Sequence, residues 1–186
     1  PFLCYLSLTK LKTRKMKRIT LLLAGIFILS SLSFAQGKMA DRPSPPATAE
    51  GMIGEAEITI KYSSPRAKDR TIYGELVPYG KIWRAGANEA TTIAFSKDVM
   101  VEGKALAAGE YALFVIPEDN GVWTVIFNKE TKQWGAYKYD QSKDALRVKA
   151  KTSETDYTEN MTYMVEEDGM IHLDWADTRM SISVAP

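Results

Sequence analysis

From Ala56 onward apolar residues fall on alternate positions, with Ala56, Ile58, Ile60 and Tyr62 separated by Glu57, Thr59 and Lys61. A period of two sends successive side chains to opposite faces of an extended chain, so this stretch predicts a half-buried strand that ends at Ser64-Pro65. Similar runs recur over residues 91–96, 99–102, 111–116, 123–128, 145–151, 160–166, 170–175 and 179–184, which makes nine predicted strands. Between them lie Glu102-Gly103-Lys104, Ala108-Gly109, Asp119-Asn120-Gly121 and Glu167-Asp168-Gly169, where glycine supplies the positive φ of tight hairpins. Neighbouring strands are therefore expected to pair antiparallel. No segment keeps a three-to-four-residue apolar rhythm beyond two turns, and residues 72–79, interrupted by Pro78, hold at most a short helical piece. About 150 residues bury roughly two-thirds of their unfolded surface, enough for two packed layers. The expected fold is all-β: a single antiparallel β-sandwich with about nine strands and little helix, spanning residues 56–186. No internal repeat supports a propeller or solenoid.

Upstream the pattern changes. Residues 36–55 contain Arg42-Pro43-Ser44-Pro45-Pro46, whose fixed φ angles and missing donors favour an extended arm. Residues 16–35 open with Met16-Lys17-Arg18, continue as an apolar run and close on Ser33-Phe34-Ala35 before Gln36, the pattern of a signal peptide cleaved after Ala35. The apolar run is about 15 residues against the roughly 20 that cross a bilayer, which favours cleavage over a retained anchor. Residues 1–15 precede the natural start Met16 and are read as a spurious upstream extension. Cys4 is the only cysteine and lies there, so the exported part is expected to carry no disulfide, thiol nucleophile, thiolate-bound metal or lipid anchor. The expectation is a soluble periplasmic or secreted protein, with no membrane association after cleavage.

Charge narrows the partners. The 24 Lys and Arg nearly balance 23 Asp and Glu, but six of the basic residues precede position 19 and no acid precedes Asp41. The remainder is mildly acidic, which removes the electrostatic basis for nucleic-acid binding. His172 is the only histidine, so a multi-histidine metal site is excluded within one chain. On an alternating strand His172 and Asp174 face away from Ile171, Leu173 and Trp175, and a solvated histidine is expected in place of a general base; no Gly-x-Ser-x-Gly elbow accompanies it. Gly51-Met52-Ile53-Gly54 lacks the lysine of a phosphate loop, and Asp119-Asn120-Gly121 is too short for a calcium loop. No catalytic residue, cofactor or metal is assigned.

Two stretches concentrate recognition chemistry. In residues 81–92, Arg84 offers a planar fork for carboxylate or phosphate, Asn88 a donor and an acceptor, Glu89 a carboxylate and Trp83 a flat face for a sugar or cation. The same residues can instead serve their own loop: Asn88 as a turn cap, Glu89 as a partner of Arg84, and Trp83 as a core plug. In residues 128–140, Trp134 and Tyr137 lie among amides and carboxylates, a combination that stacks sugar rings and binds hydroxyls, or that covers the open end of a core.

Several motifs are linked along the chain: Arg42-Pro43-Ser44-Pro45-Pro46, Ile60-Lys61-Tyr62-Ser63-Ser64-Pro65, Tyr73-Gly74-Glu75-Leu76-Val77-Pro78-Tyr79-Gly80, the stretch from Trp83 to Thr92, Val101-Glu102-Gly103-Lys104, Ala108-Gly109-Glu110-Tyr111 and Trp134-Gly135-Ala136-Tyr137. Together they closely resemble the domain-of-unknown-function 2911 family of exported bacterial proteins. The resemblance implies a secreted, mostly β domain and no established reaction, substrate or cofactor. Three functions follow as expectations. The first is a noncatalytic binding or interaction module in which Trp83, Arg84, Asn88 and Glu89, with Trp134 and Tyr137, hold a glycan or peptide. The second is a carboxylate-dependent saccharide hydrolase using Glu75 and Glu89. The third is a purely structural envelope protein. The sequence assigns no oligomeric state.

Overall fold

The computed structural model describes residues 42–186, and residues 43–186 form one compact unit. The expected upstream extension, the signal peptide and the start of the arm lie outside the described residues. The unit is nearly all β, with strands β1 (Pro46–Ile53), β2 (Ala56–Ser63), β3 (Thr92–Phe95), β4 (Val99–Val101), β5 (Lys104–Leu106), β6 (Gly109–Ile116), β7 (Val122–Asn128), β8 (Asp144–Val165) and β9 (Met170–Ala185). A 3₁₀ turn at Gln141–Lys143 is the one helical element among the described residues. All nine strands belong to one antiparallel sheet in the order β1-β2-β3-β6-β7-β8-β9-β4-β5.

The strand count agrees with expectation by compensation. Residues 145–151 and 160–166 are one strand, and so are 170–175 and 179–184, whereas β1 and β5 are additional. The polar stretch inside β8 stays extended because it keeps pairing with β9 through register shifts between Glu154 and Thr158 and between Thr158 and Thr162. The segment read as an arm includes β1, whose Ala47, Ala49 and Gly51 pair with Tyr62, Ile60 and Ile58. Residues 72–79 are irregular rather than helical: Gly74 has φ 93°, and the Val77 amide returns to the Ile72 carbonyl at 2.8 Å.

β9 folds back on itself near Ala176, at φ 54°. Its halves meet where Arg179 donates to both Asp174 oxygens at 2.8 and 2.6 Å, where His172 Nδ1 lies 2.8 Å from Ser181 Oγ, and where the Val184 amide donates to the Gly169 carbonyl at 2.7 Å. The solvated face expected for His172 and Asp174 is therefore corrected: His172 is half-buried against Ser181 and Asp174 is buried in an ion pair. Local alternation cannot show that a strand's own far half will cover one of its faces.

The sheet also packs on itself. β2 and β8 are not neighbours in it, yet the Tyr62 and Tyr163 rings meet edge-on at 4.9 Å. A Cβ added at Gly51 would stand 2.7 Å from Val165 Cγ1, so only glycine permits this approach of β1 to β8. Ile58, Ile60, Ile93, Phe127, Leu173 and Met180 fill the space between, each contributing about 1.5–3 kcal/mol by burial. β6 and β7 are covered on both faces, which accounts for the unbroken apolar run Tyr111 to Val115. Their outer residues Ala112, Phe114 and Ile126 lie under Ile82, Ala90, Ala136 and Tyr139. The two recognition-rich stretches thus meet over one patch of sheet.

Candidate functional site

Main-chain bonds hold these stretches together. Trp83 and Val115 exchange both amide-to-carbonyl bonds at 2.8 Å, which fixes the first stretch along β6. The Ala90 amide donates to the Gln133 carbonyl at 3.1 Å and the Gly135 amide to the Asn88 carbonyl at 3.0 Å, zipping the two loops edge to edge. The second loop is braced from below: buried Asn128 donates from Nδ2 to the Asp140 carbonyl at 2.9 Å and to Asp144 Oδ1 at 2.7 Å, and accepts the Glu130 amide at 2.9 Å. Asp144 also accepts from the Tyr139 hydroxyl and from Arg147 Nε. Burial, followed by the bond to Asp144, pushes the Tyr139 phenol up to about 12.

Most polar groups of the first loop are used within the fold. The Trp83 ring is 7 % exposed, donates from Nε1 to the Gly86 carbonyl at 3.2 Å and stacks on Trp175 at 6.0 Å. The Ala85 carbonyl accepts from Thr91 Oγ1 at 2.8 Å and from the Tyr163 hydroxyl at 2.9 Å. Asn88 sits at φ 58°, a conformation asparagine tolerates, and donates from Nδ2 to the Ser44 carbonyl at 3.1 Å. Glu89 is exposed, and its backbone bridges Trp134.

Arg84 differs from all of these. Its side chain is half-buried and makes no hydrogen bond or ion pair among the described residues; its Nε is sealed from solvent without an acceptor. Burial lowers the guanidinium pKa, with the Tyr137 phenol acting in the opposite direction. Its Cδ lies 4.0 Å from where a Cβ on Gly135 would stand, and the Tyr137 ring lies 3.1 Å from the same point; Tyr137 is 87 % exposed and Trp134, in the same loop, 56 %. The structure therefore brings Arg84 beside Tyr137, pairs the backbones of Glu89 and Trp134, and turns Trp83 and Asn88 to holding the loop.

Arg84, Trp83 and Trp175 also wall a cavity of about 230 Å³ that includes Ser44 and Arg70 and no carboxylate. The Arg70 guanidinium is held by the Ala67 and Arg66 carbonyls at 2.9 and 2.6 Å. Trp175 Nε1, like Arg84 Nε, is buried without an acceptor. An adjoining hollow of about 580 Å³ shares Arg70, but Asp69 and Asp177 give it charge of both signs. Sequence reasoning missed Ser44, Arg70 and Trp175, because nothing local relates positions so far apart along the chain. The arrangement sets a half-buried cation without a side-chain partner beside one exposed aromatic ring, groups able to meet a hydrogen-bond acceptor.

Residues 44–184 match the family described as "Protein of unknown function (DUF2911)". The chain belongs to that family. No curated protein and no solved structure matches it. The DUF2911 match begins at Ser44, whose carbonyl anchors Asn88, and runs through both loops and the β9 fold-back. All the residues of the two loops and the cavity are thus part of the DUF2911 region.

Proposed function

We propose that this protein is a noncatalytic binding module, working outside the cytoplasm, that holds a glycan or peptide at Arg84, with Tyr137 and Trp134 of the neighbouring loop. One observation carries the reading: in a loop whose other buried polar side chains are bonded within the fold, the Arg84 guanidinium is half-buried with no partner among the described residues. Desolvating a cation without an acceptor is unfavourable, and a bound acceptor offsets that cost. The exposed rings of Tyr137, beside the Arg84 stem, and of Trp134, in the same loop, provide stacking area. Export is supported by the basic, apolar and small-residue order of residues 16–35.

Glycan and peptide arrays probed with the full chain test the reading, alongside Arg84→Ala and Trp134→Ala. A ligand retained by the native protein and weakened at least tenfold in both variants, with unfolding temperatures little changed, is the expected result. Binding that persists in both variants places the ligand elsewhere. Collapse of Arg84→Ala without any bound ligand would favour the structural role. Hydrolysis of a reporter glycoside, lost in Glu89→Gln, would replace the binding reading with the hydrolase one.

A further inference from the structure

We infer that the ligand of this site is an acidic saccharide whose carboxylate enters the cavity between Arg84 and Arg70; this rests on the Arg84 reading above and narrows its ligand class. The cavity wall carries two guanidinium groups and no carboxylate. The Arg84 side chain has no hydrogen bond or ion pair among the described residues, and its Nε and Trp175 Nε1 stand unbonded beneath the surface of the wall, so this region carries cationic donors and no acceptor to receive them. A carboxylate is the complementary group: it accepts only, carries the opposite charge, and its plane matches the guanidinium fork.

Arg70 enters this chemistry already oriented. Two of its N–H groups are held by the Ala67 and Arg66 carbonyls, which fixes the guanidinium plane while spending none of its charge on an acid. A planar group held in advance loses less freedom when a ligand arrives. The size of the cavity matters as well. At about 230 Å³ it lies below the roughly 300–1,000 Å³ of pockets that enclose a whole drug-sized ligand, so it takes the charged end of a ligand and leaves the rest outside. Beside the Arg84 stem stands Tyr137, with Trp134 in the same loop, and the exposed faces of these rings suit the C–H face of a pyranose ring. Asp69 and Asp177, beyond Arg70, disfavour a densely charged polyanion and favour a single carboxylate at this point.

The test is calorimetric titration of the full chain with a galacturonic acid trimer, with its methyl ester, and with a short peptide bearing a free C-terminal carboxylate. The acid is expected to bind at least tenfold more tightly than the ester and to weaken as salt is raised. This advantage is expected to fall below about twofold in Arg84→Gln and in Arg70→Gln. Trp134→Ala is expected to weaken acid and ester alike. Equal binding of acid and ester, both weakened by Trp134→Ala, overturns the carboxylate assignment and leaves the binding module standing. Tighter binding of the peptide overturns the saccharide class. No binding of any of the three, while an array ligand remains dependent on Arg84, overturns this inference alone. Loss of both results overturns the module as well.

Discussion

Two residues in one loop illustrate opposite uses of burial. Arg84 holds a cation in a half-buried place without a side-chain partner among the described residues, an arrangement that lowers stability and that the proposed binding role would explain. Arg84→Met keeps the aliphatic stem and removes the charge. In urea it is expected to leave the unfolding free energy unchanged or to raise it by up to about 1 kcal/mol, while ligand binding is lost. Gly86 has the reverse role. A Cβ there would stand 2.6 Å from Thr91 Oγ1 and 3.3 Å from the Ser63 carbonyl oxygen, so Gly86→Ala is expected to cost about 1–3 kcal/mol in the same titration. A large loss in Arg84→Met, or none in Gly86→Ala, would show that the loop is held otherwise. The sequence displays the kinds of side chain present at residues 83–89; it does not display which of them already have partners. Trp83 and Asn88 looked as suited to a ligand as Arg84, and only the folded chain, by bonding Trp83 to Gly86 and Asn88 to Ser44, separates them.

The loop from Lys129 to Lys143 is an element whose bracing depends on pH. The Glu130 pKa is depressed chiefly by its hydrogen bond with Lys143, at 2.7 Å, and the Asp140 pKa chiefly by its bond from the Ser142 hydroxyl. Both folded-state values lie below those of the unfolded chain, so their contribution is complete above the ordinary carboxylate range, near pH 4, and is lost as pH falls through the depressed values. Lowering the pH is expected to reduce the protection factor of the Lys129 amide, which donates to the Lys143 carbonyl, relative to its intrinsic exchange rate at each pH, before the buried amides of β7 lose protection. Glu130→Gln should already show the reduced protection at neutral pH and lose part of the acid response; identical profiles would mean that the pair does not brace the loop. At this scale much of the fold was legible, because β2, β3, β6 and β7 write their burial as alternation or as an apolar run. β1 was hidden by the prolines before it. The unity of β8 was hidden by a polar centre whose extended form is imposed by pairing with β9, a distant partner that no local pattern reveals.

At the scale of the whole unit, the end of β9 joins parts of the sheet that the chain itself keeps apart. The β4–β5 hairpin enters the sheet by pairing β4 with β9, at Met100 with Ala185 and at Val101 with Val184. Glu102 and Ser183 strengthen that edge: the Glu102 amide donates to the Ser183 carbonyl at 2.9 Å, and the Ser183 amide donates to Glu102 Oε1 at 2.6 Å. On its other side the Val184 amide closes the β9 fold-back at Gly169. Removing residues 183–186 therefore breaks a sheet edge and one of the ties of the fold-back together. Loss of buried Val184 accounts for about 1.5–3 kcal/mol, and each main-chain bond lost for about 1 kcal/mol. Relaxation of the remaining chain offsets part of that sum, so a net loss on the order of 3 kcal/mol is expected. Since Val99, Val101 and Leu106 of the hairpin are buried in the same core as β2 and β8, the truncated protein should still unfold in one transition, at a lower denaturant midpoint. Two transitions would show that β4–β5 and the β9 fold-back form a separate unit. An unchanged midpoint, with fast exchange confined to Glu102, would show that side-chain packing alone holds the hairpin and that this pairing is incidental.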